Sequence, residues 1–352
     1  MESPVRALAL VAAAACLLAA GGCATTPATR SEAAPVANAV LRAIALDRAL
    51  EDRILALDPE RITEDDLRTT LAAAPAPRII LLHGGIYPVH LAMLSFGYFL
   101  TGMGYPEAQI RDPGDQSWSY SPYQDSAQIA GLVAWAYERD GLRPMLIGHS
   151  QGGIHAVKVL NELDGAFGDQ IPVWDPIRGA AEDRTTIVDP LTGVVRPVLG
   201  LSLSYVSSLG AGGAALLLPH QWKMAGRLRT VPDTVDEFTG YSIGLDFFAF
   251  SVPGAEEADD FQHNGRARVR NVKLPAWYNH VAAPVTHDLA TDPLARPWID
   301  AYVPGEANTP VPLEAEGRSV LWAADVWHSV KKHWCLEVQR LIRARRAMLG
   351  GG

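Results

Sequence analysis

The chain is poor in cysteine, in clustered basic residues and in long apolar runs, and each shortage argues against a class of protein. Only three of its 352 residues are cysteine, too few for a fold held by several disulfides. The formal net charge is −9, and no basic cluster offers a face that could follow a phosphate backbone. A nucleic-acid partner is therefore not expected. The apolar run at residues 7–20 is too short to span a bilayer as a permanent helix.

Motifs for metals and cofactors are also missing from the sequence. There is no H-E-x-x-H, no Cys/His cluster with zinc spacing and no glycine-rich dinucleotide fingerprint. His280, His287 and Asp288 are only a loose set of possible ligands. We expect neither a metal ion nor a cofactor.

The N-terminus is typical of a bacterial export signal. Arg6 precedes the apolar run, and small residues lead up to Cys23. This arrangement resembles a lipobox, although Ala20 stands where Leu is usual. The resemblance implies a signal peptide over residues 1–22 and a lipid on Cys23. Ala24 follows, rather than the Asp that would suggest retention at an inner membrane, so the resemblance also implies an outer-membrane or cell-surface anchor. A plain signal peptide cleaved nearby is the alternative. Residues 23–37 are rich in Ala, Thr and Pro and form the expected tether.

No intramolecular disulfide is expected in the mature protein. Cys16 would leave with the signal peptide and Cys23 would carry the lipid, so that Cys335 has no partner within the chain.

The remaining residues, 38–352, have ordinary globular composition, with 48% hydrophobic and 20% charged residues. We expect one α/β domain with insertions at about 167–197 and 210–240. Apolar segments typical of strands alternate with helical periods, which predicts a mostly parallel sheet flanked by helices. Two helical segments, 38–57 and about 63–74, form an expected N-terminal cap, and 319–348 reads as one long amphipathic helix. The segments typical of strands are 78–82, 109–110, 145–147, 198–206, 246–252 and 269–274.

The sequence most informative about function is Gly148-His149-Ser150-Gln151-Gly152. A short apolar strand precedes it, and apolar residues at helical spacing follow it. A serine at such a strand-to-helix turn, with glycine two residues to either side, has the pattern of a nucleophile elbow. The glycines are needed because a Cβ there would collide with the neighbouring strand or helix. A glycine-rich turn that happens to contain serine is the simpler alternative.

This elbow, together with His83-Gly84-Gly85 after an earlier strand, resembles the α/β-hydrolase superfamily and, within it, bacterial lipases and esterases. The resemblance covers about residues 78–302. It implies a nucleophile, an acid after a late strand and a histidine after the last strand, in that order. It also implies that the backbone N–H groups of Gln151 and Gly85 stabilise an oxyanion.

Two histidines compete for the role of the base that activates Ser150. His280 follows a strand and a turn and precedes a helical stretch, which is where the family places its base. His328 lies within the expected terminal helix and becomes the candidate only if that segment is instead a strand followed by a helix. We favour His280.

The acid is expected in the segment that follows the predicted strand 246–252. Four carboxylates lie there within five residues, at positions 256, 257, 259 and 260. The family places its acid in this loop, and Asp259 is our choice, with Asp260 and Glu256 as alternatives. A solvated acidic loop without a catalytic role has the same composition.

The resemblance implies a serine hydrolase that cleaves carboxylic esters through a Ser-His-Asp triad and an acyl-enzyme. Apolar residues near 118–123 and 211–218 favour an ester or lipid substrate with an apolar acyl chain. An acyltransferase would use the same triad with an alcohol in place of water. A non-catalytic envelope lipoprotein that uses the fold for binding is the alternative from another class.

Overall fold

The computed structural model describes residues 39–212, 219–243, 260–311 and 318–350. Within these ranges the helices are α1 (Ala39–Ala43), α2 (Arg48–Ala56), α3 (Glu64–Thr69), α4 (Tyr87–Gly102), α5 (Ser126–Asp140), α6 (Gln151–Leu163), α7 (Ala295–Ala301) and α8 (Val320–Gly350). The strands are β1 (Ile79–Leu82), β2 (Met145–His149), β3 (Trp174–Asp175), β4 (Ala180–Ala181), β5 (Thr186–Val188), β6 (Val195–Pro197), β7 (Leu203–Leu209), β8 (Thr230–Val231), β9 (Val235–Ile243), β10 (Gln262–His263) and β11 (Arg268–Leu274). The expected signal peptide and tether, with Cys23, lie outside the described residues.

Among the described residues, five strands form a central sheet in the order β1-β2-β7-β9-β11, and every neighbouring pair is parallel. Side chains of β1 alternate between the two faces of the sheet. Ile79 and Leu81 pack with α4 and α8, whereas Ile80 and Leu82 pack with α5 and α6. The expected parallel sheet covered by helices on both faces is therefore confirmed.

Capping residues mark the ends of several helices. Asp125 caps α5 by accepting from the N–H of Ala127, and Gly141 ends it in the left-handed conformation at φ 70°. Thr63 forms a capping box with Asp66 at the start of α3. The predicted helix over 38–57 is instead two helices, because the chain leaves helical geometry after α1 and Asp47 caps a new start at α2.

Several predicted strand positions were wrong. The expected strand at 109–110 is a 3₁₀ turn, Glu107–Gln109, and the strand expected over 198–206 lies further on at β7. The insertion expected over 210–240 overlaps β9, a central strand whose Asp236, Glu237 and Gly240 obscure its apolar pattern. The segment 167–197 contains two short antiparallel pairs, β3–β4 and β5–β6. The strand predicted over 246–252 lies outside the described residues.

The long terminal helix was predicted correctly, and α8 spans 31 residues. Its Trp322, Trp327 and Trp334 are fully buried against the sheet and the N-terminal helices. Cys335, on the same helix, is a buried free thiol. No helix in the described ranges has both the length and the hydropathy needed to cross a membrane.

Candidate active site

Ser150 occupies the turn between β2 and α6, at the carboxyl edge of the sheet. Its backbone has φ 57° and ψ −125°, a conformation that costs free energy for any residue with a side chain. The turn is held from the next strand, because the Ser150 N–H donates to the carbonyl of Leu209 at 2.8 Å. Strain of this kind persists only where the surroundings enforce it, and it is concentrated at functional sites.

The glycines on either side of Ser150 are required by close backbone approach, as predicted. A Cβ on Gly148 would lie 2.3 Å from the carbonyl oxygen of Gly152. A Cβ on Gly152 would lie 2.1 Å from the carbonyl oxygen of Leu82. Both contacts are far below van der Waals separation, and both are with backbone that cannot turn aside. The elbow therefore packs directly onto the end of β1.

The structure brings His280 to Ser150. The two atoms that would exchange a proton, Ser150 Oγ and His280 Nε2, are 3.0 Å apart, which is a hydrogen-bond distance. His280 lies in the loop after β11 and is only 7% exposed. The arrangement gives the hydroxyl a neighbour able to take its proton as it attacks.

His328, the alternative base, lies elsewhere. It belongs to the continuous helix α8, and its Nε2 is 3.1 Å from the carbonyl oxygen of Glu60. Burial lowers the pKa of His328 below its ordinary value. Among the described residues, no hydrogen bond joins it to Ser150.

His149, the residue before the nucleophile, contacts the loop that carries His280. Its Nε2 lies 2.7 Å from the carbonyl oxygen of His280, and its side chain is fully buried. A carbonyl oxygen can only accept, so Nε2 must carry the proton. Sequence reasoning identified His149 only as part of the motif and missed this contact.

The predicted acids are only partly within the described residues. Asp259 and Glu256 lie outside them. Asp260 is described and half-buried, and it makes no hydrogen bond or ion pair with His280. Of the three carboxylates considered from the sequence, Asp260 is therefore not placed as the partner of the imidazole.

The expected oxyanion donors lie on two adjacent segments. Gln151 is the first residue of α6, so its backbone N–H has no partner within the helix. A Cβ on Gly84 would come within 2.9 Å of the Cβ of Ser150, which places the loop after β1 directly against the nucleophile. A Cβ on Gly85 would meet the side chain of Gln151 at 2.5 Å.

Side chains hold the two carbonyl groups of this loop. His83 Nδ1 lies 2.7 Å from the carbonyl oxygen of Gly84, and the Tyr123 hydroxyl donates to that of Gly85 at 3.0 Å. A trans peptide directs its N–H away from its C=O, so fixing the Gly84 carbonyl also fixes the Gly85 N–H. Burial lowers the pKa of His83, which favours the neutral ring. The contact from Tyr123 joins residues far apart in the chain, and no local pattern could have revealed it.

Large apolar side chains are exposed close in sequence to the site residues. Ile86 and Tyr87 follow the oxyanion loop directly, and Trp277 precedes His280 by three residues. Tyr123 is also exposed, at 60%. Trp118, in the segment 118–123 that we expected to favour an apolar acyl chain, is instead buried against α4.

No protein-family model matches the chain, and no match is found among curated proteins. In the described part of the chain, no group of three or more His, Cys, Asp or Glu side chains could hold a metal ion.

Proposed function

We propose that this protein is a serine hydrolase of the α/β-hydrolase fold that cleaves carboxylic esters. The observation that carries the proposal is the pairing of a strained Ser150 with His280 Nε2 at 3.0 Å. A hydroxyl alone is a weak nucleophile at neutral pH, and an adjacent imidazole is what activates it. The position of the pair at the carboxyl edge of a parallel sheet supports the proposal.

In this mechanism Ser150 Oγ attacks the acyl carbon while its proton passes to His280 Nε2. The developing negative charge on oxygen is stabilised by the N–H groups of Gln151 and Gly85. His280 then donates the proton to the departing alcohol, which leaves an acyl-enzyme. Water, deprotonated by the same imidazole, attacks the acyl-enzyme and releases the acid and free Ser150.

Hydrolysis of p-nitrophenyl esters tests the reaction. We expect turnover by the wild-type protein and a loss of about 10⁴-fold or more in kcat for Ser150→Ala and for His280→Ala. His328→Ala is the matched control, because it also removes a buried imidazole, and it should retain activity. Full activity in His280→Ala would reject the base, and a folded wild-type protein without turnover would favour the non-catalytic alternative.

We infer that the triad acid comes from residues 244–259, where the end of β9 adds a third candidate to Asp259 and Glu256. Asp259 is the choice made from the sequence. However, β9 ends at Ile243, at the same edge of the sheet as Ser150, and Asp246 comes only three residues later. Asp246→Asn, Glu256→Gln and Asp259→Asn should therefore be compared, with Asp260→Asn as the control. The acid is the residue whose loss lowers kcat by about 10⁴-fold.

The exposed aromatic residues near the site support a substrate with an apolar acyl chain. Tyr87, Tyr123 and Trp277 offer apolar surface close in sequence to the oxyanion loop and to His280. Burial of each methylene is worth about 0.8 kcal/mol. We therefore expect kcat/KM to rise with acyl length across a p-nitrophenyl series from acetate to octanoate. A flat or falling series would contradict an apolar acyl site.

A lipid anchor at Cys23 is proposed from the sequence. The wild-type protein should sediment with the outer-membrane fraction of a bacterial host, and Cys23→Ser should abolish labelling with a clickable palmitate analogue. Equal labelling of both proteins would exclude Cys23 as the lipidated residue.

A further inference from the structure

The buried imidazole of His149 joins the strand that carries the nucleophile to the loop that carries the base. Its Nε2 lies 2.7 Å from the carbonyl oxygen of His280, and the two rings have centroids 5.1 Å apart. The contact is therefore to the base residue itself rather than to a neighbour. In the proposed reaction His149 takes part in no chemical step, so its contact with His280 serves another purpose.

The position of His149 makes it suited to set the distance between base and nucleophile. It is the last residue of β2, whose five residues are all buried, and Ser150 follows directly. One rigid strand end thus carries both Ser150 and the donor that holds His280. The loop itself is long, since twelve residues separate the end of β11 at Leu274 from the 3₁₀ turn at His287.

Other described contacts of this loop fix regions beside His280. The Tyr278 hydroxyl accepts from the N–H of Leu321, and the Thr286 N–H donates to Ser95 Oγ. The Asn279 side chain accepts from backbone groups within the loop. These bonds hold the loop on α8, on α4 and on itself, whereas the bond from His149 ties it to β2.

We infer that His149 is a positioning residue for catalysis: its neutral imidazole donates Nε2–H to the carbonyl of His280 and so holds the base 3.0 Å from Ser150 Oγ. The inference rests on the proposed hydrolase function. Full burial and the nearby His280 lower the pKa of His149 to about 3. The ring is therefore neutral throughout the pH range in which an esterase assay is run.

A matched pair of substitutions separates the donor from the packing. His149→Gln retains an amide N–H at a similar reach, whereas His149→Met fills a similar volume without a donor. We expect His149→Met to lower kcat by about 10–100-fold with little change in KM, because a displacement near 1 Å can cost about 10²-fold. His149→Gln should recover most of that loss.

A control and a second readout keep the test informative. His328→Met removes another buried imidazole that contacts a backbone carbonyl, at Glu60, and it should leave kcat near the wild-type value. If His149→Met does not fold, His149→Asn replaces it, since its amide is one methylene too short to reach. The rate of fluorophosphonate labelling at Ser150 should fall in parallel with kcat.

Equal kcat in the Gln and Met variants would overturn the role of His149 as a donor. So would a loss of kcat in His328→Met that matches the loss in His149→Met. An inactive but folded wild-type protein would instead overturn the proposed hydrolase function on which the inference depends. The two failures are therefore distinguishable in one set of assays.

Discussion

At the scale of single residues, the site depends on the close backbone packing that fixes the conformation of Ser150. Its backbone is held at φ 57° by the hydrogen bond to Leu209 and by two glycines that let three backbone segments meet. Neither glycine has a left-handed conformation that would require it. Gly148 and Gly152 are instead needed for space.

Gly152→Ala should therefore disrupt the elbow. The added Cβ would lie 2.1 Å from the carbonyl oxygen of Leu82, and backbone must move to admit it. We expect a loss of about 1–3 kcal/mol in the free energy of unfolding and a strong loss of the proposed esterase activity. Gly168→Ala is the control, because nothing lies within 4 Å of its Cβ. Denaturant melts and ester turnover measure both effects, and an active, fully stable Gly152→Ala would contradict this account of the turn.

Part of the site could be predicted from the sequence because it is local. The elbow needs glycine two residues to either side of serine, and a spacing of that kind is visible in one dimension. The candidate base also follows from the order of elements along the chain. The contacts of His149 with His280 and of Tyr123 with Gly85 could not be predicted, because they join residues separated by 131 and 38 positions.

At the scale of elements, α8 combines a buried surface with buried charge. Glu337 is 1% exposed, and its carboxylate accepts from the backbone N–H and the guanidinium of Arg143 and from Arg340. Arg143 lies two residues before β2. The pair therefore ties the terminal helix to the strand that leads to Ser150.

Glu337→Ala should destabilise the protein by about 1–3 kcal/mol, because the backbone N–H of Arg143 loses its acceptor, while Asp236 still pairs with the Arg143 guanidinium. Glu306→Ala is the matched control. Its partner Arg61 is 62% exposed, and such surface pairs are worth about 1 kcal/mol or less. Chemical denaturation measures both. Similar small losses of stability in the two variants would show that the contacts of Glu337 with Arg143 and Arg340 do not hold α8 in place.

Helices could be predicted from the sequence where apolar residues recur at helical spacing without interruption. The terminal helix has such spacing, and it was predicted closely. The strand β9 has acidic residues and glycine among its buried Val235, Phe238 and Tyr241, so its register is imposed by pairing with β7 and β11 rather than by its own pattern. Tertiary pairing is not visible in a window of sequence.

At the scale of the whole molecule, the sheet separates two main cores, and charged groups are buried between β9 and α8. Glu237 on β9 contacts Lys332 of α8 at 2.8 Å, and His333 lies 3.6 Å away. Burial alone would raise the pKa of Glu237, but these two neighbours outweigh it and lower the pKa below its ordinary value. The folded state therefore binds fewer protons at this carboxylate than the unfolded state does.

This difference predicts how stability depends on pH. A carboxylate with a lowered pKa in the folded state stabilises the fold above its unfolded pKa, and the contribution is lost as pH falls below roughly 5. In denaturation at pH 7 and at about pH 3, Glu237→Gln should lose less stability on acidification than the wild type. Glu306→Gln should follow the wild type. If Glu237→Gln lost as much stability between these two pH values as the wild type does, the assigned interaction would be contradicted.

Labelling with a fluorophosphonate tests whether Ser150 is the activated nucleophile that we propose. The reagent phosphonylates serine only where a base and an oxyanion site raise its reactivity. The wild-type protein should gain one adduct, and tandem mass spectrometry should place it on Ser150, with none in Ser150→Ala. A folded wild-type protein that stays unlabelled, or a label that persists in Ser150→Ala, would contradict the account.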